Sequence, residues 1–231
     1  MDTNIKTKVT ILDTTTKNPI SLMGERAGVC WGANTSDPKK NYQRGLNCIK
    51  SGHGRVMEFV NIEMIIEGYS ARVIREWYTH IGGAPTRLQE STRYVDCENF
   101  DYVTPPTITK DFAREACYRC AMSMIKQTYQ KLIDDGVPKE DAAMLLPLGM
   151  TTKIVDKRNL RNLVDMSRQR MCNRAYIEYR QLFFYIRKAL SEYSDEWKEI
   201  IDMLFYPKCK ELGYCPEKNS CGKMPKQLDK V

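Results

Sequence analysis

Arg87, Gln89, Ser91 and Arg93 stand at alternate positions in TRLQESTRY, residues 86–94, and alternate residues of an extended segment point to one side. Two guanidinium groups beside an amide and a hydroxyl can form an anion site, because the forked donors of Arg fit a phosphate. The same four residues also describe a solvated charged strand, and the pattern alone does not choose. Just upstream, Ser70 is placed to cap a helix whose apolar face carries Ala71, Val73, Ile74 and Trp77 or Tyr78. Gly82, Gly83 and Pro85 follow His80 and impose an irregular loop that can approach a ligand closely. Residues 70–94 therefore read as the centre of a site.

The elements that must hold this stretch are legible in outline. Lys6 to Asp13 reads as a first strand, and residues 20–31 and 41–50 as helices joined through a turn at Asn34 to Pro38. Val56, Val60, Ile62, Met64 and Ile66 share one parity, which predicts a strand with a buried face over Val56 to Ile66. Glu58 shares that parity, and a carboxylate there needs a partner. After a loop over Cys97 to Pro106, a long helix is expected from Asp111 to Asp135, closed by Gly136 and Pro138. Shorter helices follow over 139–146, 156–170, 173–193 and 194–205. The fourth of this run starts at Ser194, and the third carries Tyr176, Tyr179, Leu182, Phe183, Ile186 and Leu190 as a stripe suited to a core or a subunit interface. This order predicts an α/β chain of the α+β kind, with a mixed sheet and a bundle of long helices.

Length and composition fit one domain over residues 1–205 with an appended tail over 206–231. The chain has 231 residues, 42% hydrophobic and 28% charged. It has no apolar run of about 18 residues and no signal-peptide pattern at its start, so a cytoplasmic protein without a membrane segment is expected. Thirty-six basic against 29 acidic residues give a formal charge of +7, which suits anionic small molecules as well as nucleic acid. The basic residues are interleaved with apolar positions rather than gathered in a stripe, which disfavours a nucleic-acid-binding module.

In a reducing compartment the nine cysteines are free thiols or metal ligands. Cys30, Cys48, Cys97, Cys117, Cys120 and Cys172 lie in core-like segments and are expected to be buried thiols. Cys209, Cys215 and Cys221 recur with five residues between successive members. With Cys172 as a fourth ligand they could hold a structural zinc, although the spacing differs from the usual knuckle; ordinary reduced thiols are the other reading.

Four segments together resemble the flavin-dependent thymidylate synthases. They are SGHGRVMEFV (51–60), QESTRY (89–94), GVPKEDAAMLLPLGM (136–150) and NLRNLVDMSRQRMCNRAYIEYR (159–180). Their order matches the family, and their separations nearly match it, over roughly residues 6–205. The resemblance implies reductive methylation of dUMP to dTMP, with methylenetetrahydrofolate as carbon donor, FAD as hydride carrier and NAD(P)H, usually NADPH, as reductant. It also implies a homotetramer with sites at subunit interfaces. Arg170 takes the position of the arginine that stabilises negative charge on the uracil ring, so no cysteine nucleophile is required. The implied dUMP positions are Glu76, Trp77, Arg87, Gln89, Glu90, Ser91, Thr92 and Arg93, with Arg170. The implied FAD positions are Cys30, Arg55, Glu58, Thr79, His80, Ile81, Gln89, Asn159, Arg161 and Asp165.

The chain also departs from the family. Thr79, His80 and Ile81 stand where the family has arginine, histidine and arginine, Ala143 replaces a phosphate-binding arginine, and Asp165 stands where asparagine is usual. Arg75 or Arg87 can supply the lost charge from another direction. An altered chemistry, hydroxymethylation of a pyrimidine nucleotide, is the alternative that these departures leave open.

Overall fold

The computed structural model describes residues 7–226; Lys6 of the expected first strand and the last five residues of the tail lie outside them. The elements run β1 (Lys8–Ile11), α1 (Pro19–Cys30), α2 (Pro38–Lys50), a 3-10 helix (Gly54–Phe59), β2 (Asn61–Ser70), α3 (Ala71–Tyr78) and β3 (Thr86–Gln89). They continue with α4 (Phe112–Asp134), α5 (Lys139–Ala142), a 3-10 turn (Ala143–Leu145), β4 (Thr151–Asn159), α6 (Leu160–Arg170), α7 (Ile177–Tyr193), α8 (Asp195–Leu204) and α9 (Lys208–Leu212). The class is α+β, as the sequence implies. The strands are ordered β1-β2-β4-β3 and run antiparallel, without the parallel pair of a mixed sheet.

Side-chain caps explain where most helices begin. Asp37 accepts from the backbone N–H groups of Lys39 and Lys40, Ser70 from that of Val73, Asp111 from Arg114, Asn159 from Asn162 and Ser194 from Trp197. Each such cap contributes about 1 kcal/mol, the usual cost of its removal. Gly136, at φ +83°, follows α4 as the expected stop.

Contacts divide the chain into two compact units. The first takes the start of the described chain through Lys8, then Ile65–Thr79 and Arg87–Val155; the second takes Val9–Met64, His80–Thr86 and Asp156 onward. In the first, Cys97, Tyr129 and Ala142 are buried beneath α4, with Leu132, Ile133, Val137, Leu146 and Met150 packed against them. In the second, Tyr179, Leu182, Phe183, Ile186 and Leu190 of α7 are fully buried, so the stripe is core. Trp197, Ile200 and Ile201 of α8 join them in the buried set.

Three local expectations are corrected. Val56 to Phe59 form a 3-10 helix and the strand starts at Asn61, because Gly52 and Gly54 deliver a tight turn that the parity of the apolar residues ran through. Asp156 to Asn159 are strand, and the helix starts at Leu160. On β4 the residues Thr152, Ile154, Asp156 and Arg158 are all buried on one parity, and the two charges there hide the alternation that marks a strand. The helix expected from Asn173 starts at Ile177.

Candidate functional site

The second unit gathers Arg170, His80, Arg158 and two asparagines. Arg170 closes α6 as its last residue. Its Nε donates to His80 Nε2 at 3.2 Å, and its guanidinium carbon stands 4.7 Å from the centre of the Tyr179 ring, a cation–π geometry. His80 is half-buried, and its pKa falls from 6.5 to about 4, first because burial penalises the charged ring and then because Arg170 and Arg158 repel it. At neutral pH the imidazole is therefore uncharged. With Nε2 accepting from Arg170, its proton sits on Nδ1.

Beneath this pair lies a buried salt bridge. Arg158 Nε and Nη2 reach the two Asp156 oxygens at 2.6 and 2.7 Å, and Arg158 Nη1 donates to Asn162 Oδ1 at 2.7 Å. Both side chains of the ion pair are fully buried. The bidentate fork and the third bond satisfy charges that would be costly alone. Sequence reading missed this group, although Asp-x-Arg in an extended segment puts both residues on one face.

The loop His80–Thr86 belongs to the same unit and is set on the N-terminus of α6. Gly83 takes φ +71° and Ala84, just before Pro85, φ +50°, a left-handed conformation that costs energy for a residue with a side chain. A Cβ on Gly83 would come within 2.0 Å of Asn159 Nδ2, and one on Gly82 within 2.9 Å of Asn162 Nδ2. The loop is thus held by close approach to two asparagine amides. Ile81, at the place of a family arginine, is 71% exposed.

Of the implied FAD positions, Cys30, Arg55, Glu58, His80, Ile81, Asn159, Arg161 and Asp165 fall in this unit. Arg161 Nη1 pairs with Glu58 at 2.6 Å, with both side chains close to half exposed. Glu58 therefore has its arginine, but at the surface rather than on a buried strand face, since the 3-10 helix turns it outward. Gly54 lies beside the same Arg161, whose Nε would be 3.7 Å from a Cβ on it. Arg55 is exposed. Asn159 is buried as the cap of α6, and Asp165 is exposed and pairs with Arg168 at 3.3 Å. Cys30 is exposed, as are Cys117 and Cys120, and Cys172 is half-buried, so only Cys48 and Cys97 of the six expected thiols are buried. The others sit at a helix end, on an outward face of α4 and in a turn, where small apolar residues need not be covered.

The first unit carries Thr79 and the implied dUMP residues other than Arg170. Trp77 is fully buried, Glu76 lies 3.9 Å from Arg72, and the Thr79 hydroxyl donates to the Glu76 carbonyl at 2.7 Å. Arg87 donates to the Tyr78 carbonyl at 2.9 Å and lies 4.4 Å over that ring. Gln89 Nε2 donates to Thr152 Oγ1 at 3.3 Å. Glu90, Ser91 and Thr92 line a cavity of about 140 Å³ together with Asp96, Phe100 and Thr152. Arg93 forms an exposed 2.7 Å ion pair with Glu140. The extended alternation ends at Gln89: the Arg93 N–H donates to Ser91 Oγ and the Tyr94 N–H to the Ser91 carbonyl. Ser91 and Arg93 are therefore presented by a turn, which a serine hydroxyl favours over a strand.

The profile of the thymidylate synthase complementing protein family, Thy1, matches residues 10–193. The flavin-dependent thymidylate synthase of Nitratidesulfovibrio vulgaris is 33% identical over 190 residues, 77% of this chain and 74% of its own. That of Clostridium tetani is 30% identical over 245 aligned positions, 94% of this chain and 93% of its own. That of Pyrococcus furiosus is 31% identical over 172, covering 73% and 70%. Among the described residues no helix is long and apolar enough to cross a membrane.

Proposed function

Because the chain belongs to the thymidylate synthase complementing protein family, whose relatives carry the name flavin-dependent thymidylate synthase, we propose that it reductively methylates dUMP to dTMP. Methylenetetrahydrofolate is the carbon donor and NADPH or NADH the reductant. The observation that carries this reading is Arg170, fixed by a neutral histidine and an aromatic ring. A cation held in place before substrate arrives stabilises developing negative charge without reorganising, and in many active sites such preorganised charge lowers the barrier more than any other effect. Charge gathered on the uracil ring makes its C5 carbon the nucleophile, and Arg170 is the group that supports it. As an uncharged acceptor, His80 orients the guanidinium.

Arg93, Ser91 and Gln89 bind the phosphate and sugar of dUMP. The Arg93–Glu140 pair is exposed and weak, so a phosphate can displace the carboxylate. Arg87 is engaged by Tyr78 and serves to shape the β3 edge rather than as a free cation.

The donor set fits FAD. Exposed Arg55 and Arg161 beside Gly54 offer cations and an approachable backbone to a diphosphate, and the loop carrying Ile81 offers apolar surface to a ring. Bound and reduced, FAD supplies the hydride, with NAD(P)H as its source. Glu58 and Asp165 set the orientation of the neighbouring arginines, Arg161 and Arg168. The working protein is a cytoplasmic homotetramer whose sites form at subunit interfaces, with residues 206–231 as an appendage.

The test is product identification after incubation with dUMP, methylenetetrahydrofolate, FAD and NADPH. The expected product is dTMP. A hydroxymethyl nucleotide would replace this reading with the altered chemistry, and absence of turnover in FAD-loaded protein would overturn it.

A further inference from the structure

Four cysteines that the proposed reaction leaves unused meet in the second unit. Cys172, just beyond α6, and Cys209, Cys215 and Cys221 of the tail all line one cavity of about 740 Å³. The Cys209 thiol lies within electrostatic reach of the other three. Gly222, at φ +81°, turns the chain directly after Cys221.

The tail has little else to fix it. From Gly213 to residue 226 the described chain holds no helix, and its only pairing is the isolated bridge between Cys215 and Lys226. Cys215 is the one buried residue from Pro207 onward among the described residues. Its other ties include exposed ion pairs, Arg168 with Glu211 and Arg174 with Glu217, each worth under about 1 kcal/mol. A segment with so little buried surface is of the kind that a metal staples.

We propose that Cys172, Cys209, Cys215 and Cys221 bind one structural Zn²⁺, tying the tail to the C-terminal end of α6 that carries Arg170. Four thiolates in tetrahedral array are a common structural zinc site. Each thiol gives its proton to solvent as its sulfur bonds the ion, so no oxidant is involved. Four thiolates around a dication leave a double negative charge, which Lys208 and Lys223, lining the same cavity, offset. Among the described residues no three Cys, His, Asp or Glu side chains already stand in a ligating arrangement. The ion closes the set through cysteine rotamer changes and a shift of the irregular segment after Gly213, which has little regular structure to resist it.

The test uses the full chain, purified under reducing conditions, loaded with Zn²⁺ or Co²⁺ and cleared of loose metal. About one tightly held equivalent is expected, with a thiolate-to-cobalt charge-transfer band in the Co²⁺ form and a metal-dependent rise in Tm. Cys209→Ser and Cys221→Ser should each lower metal affinity by about tenfold or more, on the scale of losing even a supporting contact. Cys117→Ser, on the exposed face of α4, should leave it unchanged. Because Cys221 is exposed, its substitution leaves packing intact, and circular dichroism verifies the fold. Less than about a tenth of an equivalent in the wild type, full retention in Cys221→Ser, or a disulfide joining these residues in freshly purified protein would each overturn the proposal. The readout is metal content, so its failure is separable from failure of dTMP formation.

Discussion

The Arg170 cluster and the Ser91–Arg93 turn hold their cations in opposite ways. Arg170 is packed between His80 and Tyr179 above a fully buried Asp156–Arg158 pair, whereas Arg93 is exposed and bound to an exposed carboxylate. Burial makes the first arrangement rigid and expensive to disturb, since each charge depends on its neighbours. Exposure makes the second inexpensive to rearrange. On the function proposed above, the difference would separate two tasks: a charge fixed in advance for the chemical step, and an adjustable one for capturing phosphate.

If that contrast is right, the largest effect comes from below the site. Asp156→Ala leaves Arg158 buried without its carboxylate and should destabilise the fold by about 3–5 kcal/mol, measured by urea unfolding. A loss under about 1 kcal/mol, typical of exposed pairs, would erase the distinction between the regions. Arg170→Ala comes next, removing about 3 kcal/mol of transition-state stabilisation, or roughly a hundredfold in kcat. Ser91→Ala should act mainly on KM for dUMP and far more weakly. Steady-state kinetics on FAD-loaded variants that gave the reverse order would show that the roles are misassigned.

Gly83→Ala is a smaller disturbance, on the scale of about 1–3 kcal/mol. It adds strain at φ +71° and drives a methyl group into the Asn159 amide that caps α6. Gly136→Ala is the control, because it has the same kind of φ but meets nothing within 4 Å. Equal Tm losses for the two would mean that the loop is not clamped by Asn159.

The same contrast explains what the sequence could convey. Short-range signals survived: Ser70 as a cap, Ser194 at a helix start, Gly136 as a stop, the Ile62, Met64 and Ile66 parity, and the α7 stripe all lie where their residue types predict. What failed was read through polar residues with distant or unexpected partners. Asp156 and Arg158 look solvated in isolation, yet each neutralises the other inside the core and so both belong to a buried strand face. Ser91 and Arg93 fit an extended alternation, but the Ser91 hydroxyl draws the backbone into a turn. Glu58 shares a parity with buried residues and is turned out by a 3-10 helix. Residues 70–94 carry a local signal, but Arg170 enters only through the resemblance, because pairs such as Arg170 with His80, 90 positions apart, leave no mark in local pattern.

His80 tests the buried side of the comparison by pH. The chain has two histidines, so NMR titration with a His80→Gln variant assigns the signal. His80 should titrate near pH 4 instead of 6.5. Between those values the unfolded chain binds more proton than the folded one, so this contribution to stability is complete above 6.5 and lost as pH falls toward 4. In Arg170→Ala the value should rise, since a repelling charge has gone, while burial keeps it below 6.5. A His80 that titrates at its ordinary value of 6.5 would mean that the ring is neither desolvated nor close to the Arg170 charge.

The smallest effect lies at Arg93 and Glu140. A double-mutant cycle over Arg93→Ala and Glu140→Gln should give a coupling below about 1 kcal/mol in stability, shrinking further with added salt, because both side chains stay largely hydrated. The informative quantity is KM. If Glu140 merely parks Arg93 until phosphate arrives, then Glu140→Gln should lower KM for dUMP modestly and leave kcat unchanged, because the arginine no longer has to give up a carboxylate. Arg93→Ala should raise KM with a much smaller change in kcat. Should Glu140→Gln instead raise KM, the pair would be positioning Arg93 as His80 positions Arg170, and the turn would be as preorganised as the cluster.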